Sequence, residues 1–172
     1  VAIKAVSARI VHKSDIGAVR LGLIGESAVR EACAAIAEAA RQAGVESLDG
    51  FLVTGMFRAD TELILGVQHD PDFGPLVMVG AGGVLVELMA DVQLMPAPLS
   101  HQAALGMLGR LKSRSLLAGY RGRAPADLDL IADAMVRLGT LAASLGGRLR
   151  ELDIKPLFVT ATGIAASDAR AT

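Results

Sequence analysis

Four stretches of this 172-residue chain carry residue types whose spacing suits work on a phosphate group. The first is Gly80-Ala81-Gly82-Gly83, set between apolar runs at 76–79 and 84–86, with Glu87 just beyond. A main chain bearing nothing larger than a methyl can approach a ligand closely and turn several N–H groups toward it, which is how a phosphate is cradled. Gly-Gly between β-branched runs is also the signal of a plain hairpin turn, and the two readings are compatible. The second is Lys4, a single cation inside the apolar run VAIKAV. It is either a solvated edge residue or a point charge aimed into a cleft, where it can meet a phosphate. The third is the row His12, Lys13, Ser14 and Asp15, in a polar loop closed by Gly17, with Arg20 a little further on. Such a row reads as a site or as a solvated loop. The fourth is acidic: Glu151 and Asp153 lie two apart, so an extended chain puts them on one face, and Asp168 follows on the expected partner strand. Carboxylates on adjacent strands can bind one hard cation such as Mg²⁺, or form a solvated pair on an edge strand. His69 with Asp70 and Asp72 raises a metal as well, but a turn built from Asp and Pro accounts for the same residues.

The elements that must hold these residues are legible in outline. Residues 1–6, 18–24, 51–56 and 62–67 read as strands, and 68–75, QHDPDFGP, as a turn-rich link into the glycine bend. Apolar residues at Val29, Cys33, Ile36, Ala37 and Ala40 recur at helical spacing over 27–43, with Gly44 as the stop. Residues 93–98 read as a link leading to Ser100, an N-cap for a helix over 101–111 whose first turn exposes His101. Leu128, Ile131, Met135, Leu138 and Leu141 or Ala142 form one stripe of a helix over 127–145, ended by Gly146-Gly147. Residues 148–160 read as a strand broken by Pro156, followed by a strand over 164–169 that carries Asp168. Strands and helices interspersed with many turns predict an α+β fold, a mostly antiparallel sheet with helices packed against it.

Composition narrows the function classes. The chain is long enough for one domain with a substantial core, and no apolar run nears the roughly 20 residues of a membrane span, so a soluble protein without a membrane partner is expected. A net charge of −1, 3% aromatics and no Trp argue against a nucleic-acid partner. The lone cysteine, Cys33, cannot form an internal disulfide and fits a reducing, cytoplasmic compartment, where it serves as a small buried hydrophobe. There is no initiator Met, and Val1 opens inside a strand-like run, so the chain reads as a piece of something longer.

With these residues assembled, the sequence resembles the ATP-grasp domain of the ADP-forming acyl-CoA synthetases, also called nucleoside-diphosphate-forming acetate–CoA ligases, and more distantly the succinyl-CoA synthetase β subunits. The resemblance rests on KAVSARIVHKSDIGAVRLGL, ELILGVQHDPDFGPLVMVGAGGVLVEL, LLAGYRGRAP, ELDIKPL and the closing ASDAR, in the family's order and spacing. It covers essentially the whole chain, residues 1–172, as a partial ATP-grasp domain lacking its N-terminal subdomain. It implies ATP or ADP and Mg²⁺ as cofactors, and a ligase forming carbon–sulfur bonds that is inactive as this piece alone. Its partners would be CoA-binding and CoA-ligase domains, or an α subunit, in an oligomeric enzyme.

The resemblance also assigns roles. Lys4 would contact the ATP phosphates, and the loop with Gly80, Gly82 and Gly83 would close over them, with Glu87 at its far side. Glu62, Thr54 and Met56 would lie near the adenosine. His12 falls on the histidine of the family's HK(S/T)D motif and would relay a phosphoryl group by attack of an imidazole nitrogen on phosphorus, with Lys13 and Arg20 offsetting negative charge. Asp153 and Asp168 would hold Mg²⁺. Three positions depart from the pattern: Lys155 stands where the family has a metal-ligating Asn, Ala18 where Gly-Gly is usual, and Thr54 where Gln is common. A protonated lysine has no lone pair to give a metal. Lys155 therefore either replaces a metal charge with its own, or marks a degenerate ATP-grasp module with a regulatory or assembly role.

Overall fold

The structure, a computed structural model, describes all residues except 11–12, 58, 60, 84–89, 120–123 and 161. His12 and Glu87, the Tyr120–Arg123 part of the GYRG loop and the expected run 84–86 lie outside the described residues. The chain divides into two compact units, Val1–Phe57 and Arg58–Thr172, each with its own core. Among the described residues, no helix is long and apolar enough to cross a membrane.

In the first unit, β1 (Ala2–Val6) lies between β2 (Val19–Arg20) and β3 (Gly50–Thr54), both antiparallel to it. Helix α1 (Glu26–Gln42) covers one face. Ile3 and Ala5 point into that cover and are buried with Ala32, Ile36 and Ala40, while Cys33 is half-buried at the rim. The helix ends where expected, and Gly44 takes the left-handed backbone that stops it (φ +81°). The strand expected over 18–24 shrinks to two laddered residues, because Gly22 and Gly25, at φ +72° and +83°, turn the chain out of extended geometry.

The second unit is a six-stranded antiparallel sheet in the order β6-β5-β4-β7-β8, with β9 also pairing β7. Its strands are β4 (Thr61–Asp70), β5 (Gly74–Ala81), β6 (Val92–Pro96), β7 (Glu151–Thr160), β8 (Gly163–Ala166) and β9 (Ala169–Ala171). Helices α2 (His101–Arg110), α3 (Arg114–Leu117) and α4 (Leu128–Leu145) belong to this unit. Leu63, Leu65 and Val67 of β4 and Val77 and Val79 of β5 are buried with Met107 and Leu108 of α2 and Ile131, Met135 and Leu138 of α4. That is the apolar stripe anticipated for 127–145. Ser100 Oγ accepts the Ala103 N–H at 3.1 Å, so the expected N-cap is made, and Asp127, read as the first helical residue, is instead a cap whose Oδ1 accepts the N–H groups of Asp129 and Leu130 at 3.1 and 3.2 Å.

Four expectations need correction. Gly80 and Ala81 belong to β5, and the described bend begins only at Gly82. Residues 93–98, read as a link, are mostly β6, an edge strand, where proline is tolerated. Pro156 does not break the strand over 148–160: Lys155 and Pro156 together face the single Ile64 of β4, a bulge in β7 that shifts the register, and the strand runs on past a cis Lys155–Pro156 bond. The strand over 164–169 is two strands, with Asp168 in the link between them.

Candidate functional site

Antiparallel partners point to the same side of a sheet, so the register sorts every predicted site residue by face. In the first unit Lys4 stands opposite Val19 and Leu52, and Thr54 follows two residues on, opposite Ala2. All of these point away from the α1 cover, so Lys4 and Thr54 share the open face. β1 is the central strand, which removes the reading of Lys4 as an edge residue. Met56 lies just past the end of β3 and is exposed. Arg20 pairs with Ile3 and so takes the opposite face from Lys4. Its guanidinium turns back, donating to the carbonyls of Gly17 at 3.0 Å and Val19 at 3.2 Å. The Lys13 carbonyl accepts the Ala18 N–H at 2.8 Å. Lys13 and Arg20 thus sit at two ends of one tight turn, and Arg20 braces it.

In the second unit the helices cover the face of Leu63, Leu65 and Val67, leaving the other face of the sheet free of them. That open face carries Glu62, Ile64 and Gly66 of β4, Met78 and Gly80 of β5, and Asp153, Lys155 and Phe158 of β7. Two glycines lie near its middle for steric reasons. A Cβ on Gly66 would come within 2.8 Å of the Leu152 carbonyl oxygen, 3.2 Å of Met78 Cε and 3.4 Å of Asp153 Oδ1. One on Gly80 would meet the Asp91 carbonyl oxygen at 2.9 Å. The bend itself closes on Glu62: the Gly82 N–H donates to the Glu62 carbonyl at 2.7 Å, and a Cβ on Gly82 would overlap that residue's backbone at 2.7 Å. Gly83, at φ +64°, faces Glu62 Oε2. The structure therefore brings Glu62, Gly82 and Gly83 together, and it gives Gly82 a reason that spacing alone could not: backbone-to-backbone contact between strand and bend.

The acidic set gathers on the same open face. Asp153 stands opposite Arg170 on β9, and the Lys155 N–H donates to the Asp168 carbonyl at 3.2 Å, which sets Asp168 opposite Lys155. Lys155 Nζ lies 3.2 Å from Asp153 Oδ2. β7 is an interior strand, on which Glu151, opposite Gln68, is exposed and Asp153 is the more sheltered of the two acids. The outcome is two carboxylates interleaved with two cations, where sequence reasoning singled out only the acids and Lys155. Arg170 and Gly66 went unnoticed, although stepping by two along β7 and across the ladder reaches both. Among the described residues no three His, Cys, Asp or Glu side chains form a metal cage. Two carboxylates do fit the sites at which Mg²⁺ is shared with substrate phosphates, which need only one or two protein ligands.

Elsewhere the bland readings prevail. Asp70 Oδ1 accepts the N–H groups of Asp72 at 2.8 Å and Phe73 at 3.0 Å, closing the β4–β5 hairpin. The bonds from Phe73 and then Asp72 hold its pKa below the usual carboxylate value. His101, at the start of α2, has Nε2 3.4 Å from both Asp129 and Asp133 of α4. Asp91 is buried: its Oδ1 accepts the Lys112 N–H and its Oδ2 the Ser113 N–H, each at 2.7 Å. Burial works against its ionised form, and hydrogen bonds from Ser113 and the Lys112 amide outweigh it, leaving the carboxyl below its ordinary value.

A family model described as an ATP-grasp domain matches residues 1–172. The chain therefore belongs to the ATP-grasp family. It is 38% identical, over 99% of its length and 73% of the relative's, to the acetate–CoA ligase [ADP-forming] I subunit beta of Pyrococcus furiosus. It is 37% identical to acetate–CoA ligase [ADP-forming] I of Archaeoglobus fulgidus, matching 99% of this chain and 25% of that longer one. The dinucleotide forming acetyl-coenzyme A synthetase 1 of Ca. Korarchaeum cryptofilum, solved with coenzyme A, Ca-AMPCP and HgCl⁺, superposes with a TM-score of 0.94 at 40% identity, covering 99% of this chain and 74% of that one. The same protein solved with coenzyme A and Mg-AMPPCP superposes with a TM-score of 0.85 at 38% identity, covering 99% and 75%. This chain thus spans about three quarters of the β subunit and a quarter of the single-chain ligase.

Proposed function

We propose that this chain is the nucleotide-binding, phosphoryl-transfer part of an ADP-forming acyl-CoA synthetase. The whole enzyme would convert acyl-CoA, ADP and phosphate reversibly into carboxylate, CoA and ATP through a phosphohistidine. The relatives' names and complexes support this. The observation that carries it is the face of the second unit's sheet opposite the described helices, where glycines keep the surface low and Asp153 and Lys155 of β7 lie beside Asp168 and Arg170 of the β9 segment. Lys4 and Thr54, on the open face of the first unit, are assigned to phosphate and adenosine respectively. Asp153 and Asp168 would hold Mg²⁺ jointly with the phosphates, and bound Mg²⁺ would supply charge neutralisation at the transferring phosphoryl group. His12 would take and return that group, with Lys13 and Arg20 assigned to offset its negative charge. The CoA and acyl ends belong to an α subunit or to fused CoA-binding and ligase domains, in a cytoplasmic, oligomeric enzyme.

Calorimetry with Mg·ADP on the protein assembled with its α partner tests this. Micromolar-range binding is expected, and Lys4→Met should weaken it about tenfold or more by removing a charge-assisted contact. Absence of nucleotide binding in the assembled enzyme would overturn the reading. Incubation with acyl-CoA and labelled phosphate should leave acid-labile label on the chain, and retention of that label in His12→Ala would remove the histidine's role.

A further inference from the structure

The β7–β9 corner of the open face carries its own cations beside its carboxylates. Along the ladder Lys155 and Arg170 alternate with Asp153 and Asp168, and Glu151 adds a third carboxylate two residues before Asp153 on the same face. The contact between Asp153 and Lys155, Oδ2 to Nζ at 3.2 Å, joins a mostly sheltered carboxylate (23% exposed) to a mobile, mostly exposed ammonium (58%). A divalent cation arriving alone meets two cationic side chains and, in Asp153, a carboxylate already paired with Lys155. A nucleotide changes this, because its phosphates offer the ammonium a more highly charged partner, and the four-carbon lysine stem can follow it.

We propose that Lys155 is a resident counter-cation that makes Asp153 available to a divalent metal only when nucleotide phosphates are present. The inference rests on the nucleotide-binding reading above. Lys155 holds Asp153 until nucleotide binds and then turns to the phosphates, so that metal and nucleotide enter together. The lysine also supplies part of the positive charge that phosphates need, so nucleotide retains measurable affinity in EDTA.

The test is Mn²⁺ binding to the intact protein, read by electron paramagnetic resonance with and without ADP. Wild type should leave the free-Mn²⁺ signal nearly undiminished until ADP is added. Lys155→Gln should bind Mn²⁺ without ADP roughly fivefold more tightly, the scale set by a partly exposed ion pair. Lys155→Arg, which keeps the charge, should behave as wild type, and adding Asp153→Asn to Lys155→Gln should abolish the gain. ADP affinity in EDTA should fall in Lys155→Gln. Equal Mn²⁺ binding by wild type and Lys155→Gln without ADP, or a gain that survives Asp153→Asn, would overturn the inference while ADP still binds. Failure of wild type to bind ADP at all would instead overturn the nucleotide reading.

Discussion

Asp91 shows how much one side chain can hold in place. Its two oxygens receive the amides of Lys112 and Ser113 just before α3, and its backbone carbonyl receives the Ala81 N–H at 3.0 Å. One residue therefore ties the end of the glycine-bearing strand to the helical layer. Asp91→Asn keeps one acceptor and turns an NH₂ toward a donor, which should cost about 1–3 kcal/mol in urea unfolding. Because the folded pKa is lowered, the contribution is fully present above the unfolded value of about 3.9 and disappears as pH falls through the folded one. Wild type should thus lose stability below about pH 4 more steeply than Asp91→Asn, measured as unfolding midpoints across pH. Gly82→Ala acts by a different route, since its new methyl would overlap the Glu62 backbone. Forcing strand and bend apart should cost about 1–3 kcal/mol by the same measurement.

At the scale of elements, the helices were readable because their signals are local. Ser100 caps where a cap was expected, and the stripe through Ile131, Met135 and Leu138 is the buried one. Truncating its centre, Met135→Ala, should cost about 2–5 kcal/mol in thermal or urea melts, because Met135 is fully buried. What stayed hidden depends on pairing between distant segments. Nothing local marks Val92–Pro96 as a strand. It becomes one because Leu76–Gly80 offers it a ladder, with Met78 opposite Leu94. Gly66 looks like an ordinary weak point in a strand until Asp153 and Met78 are placed on either side of it. Glu151 and Asp153 were legible as one face with Asp168 on a neighbouring segment, but the cations answering them were not, since Arg170 meets Asp153 only through the β7–β9 register.

For the molecule as a whole, the decisive fact is that Val1–Phe57 and Arg58–Thr172 each enclose a separate core. A 57-residue unit is small enough that one buried side chain is a sizeable share of its stability. Ile36→Ala should therefore raise hydrogen exchange throughout β1, β3 and α1 while leaving the amides of β4, β5 and β7 protected. Equal loss in both units would show that they unfold as one.

The β4–β5 hairpin has a practical use. Its tip, residues 71–73, carries Phe73 at 71% exposure and is locked by the Asp70 carboxylate, while Gly82 and Glu62 lie at the other end of the same two strands. At about 3.3 Å per residue, eight paired positions put roughly 25 Å between the two ends. A fluorophore or affinity tag grafted at Phe73 would therefore report on the protein from a distance without touching the glycine bend.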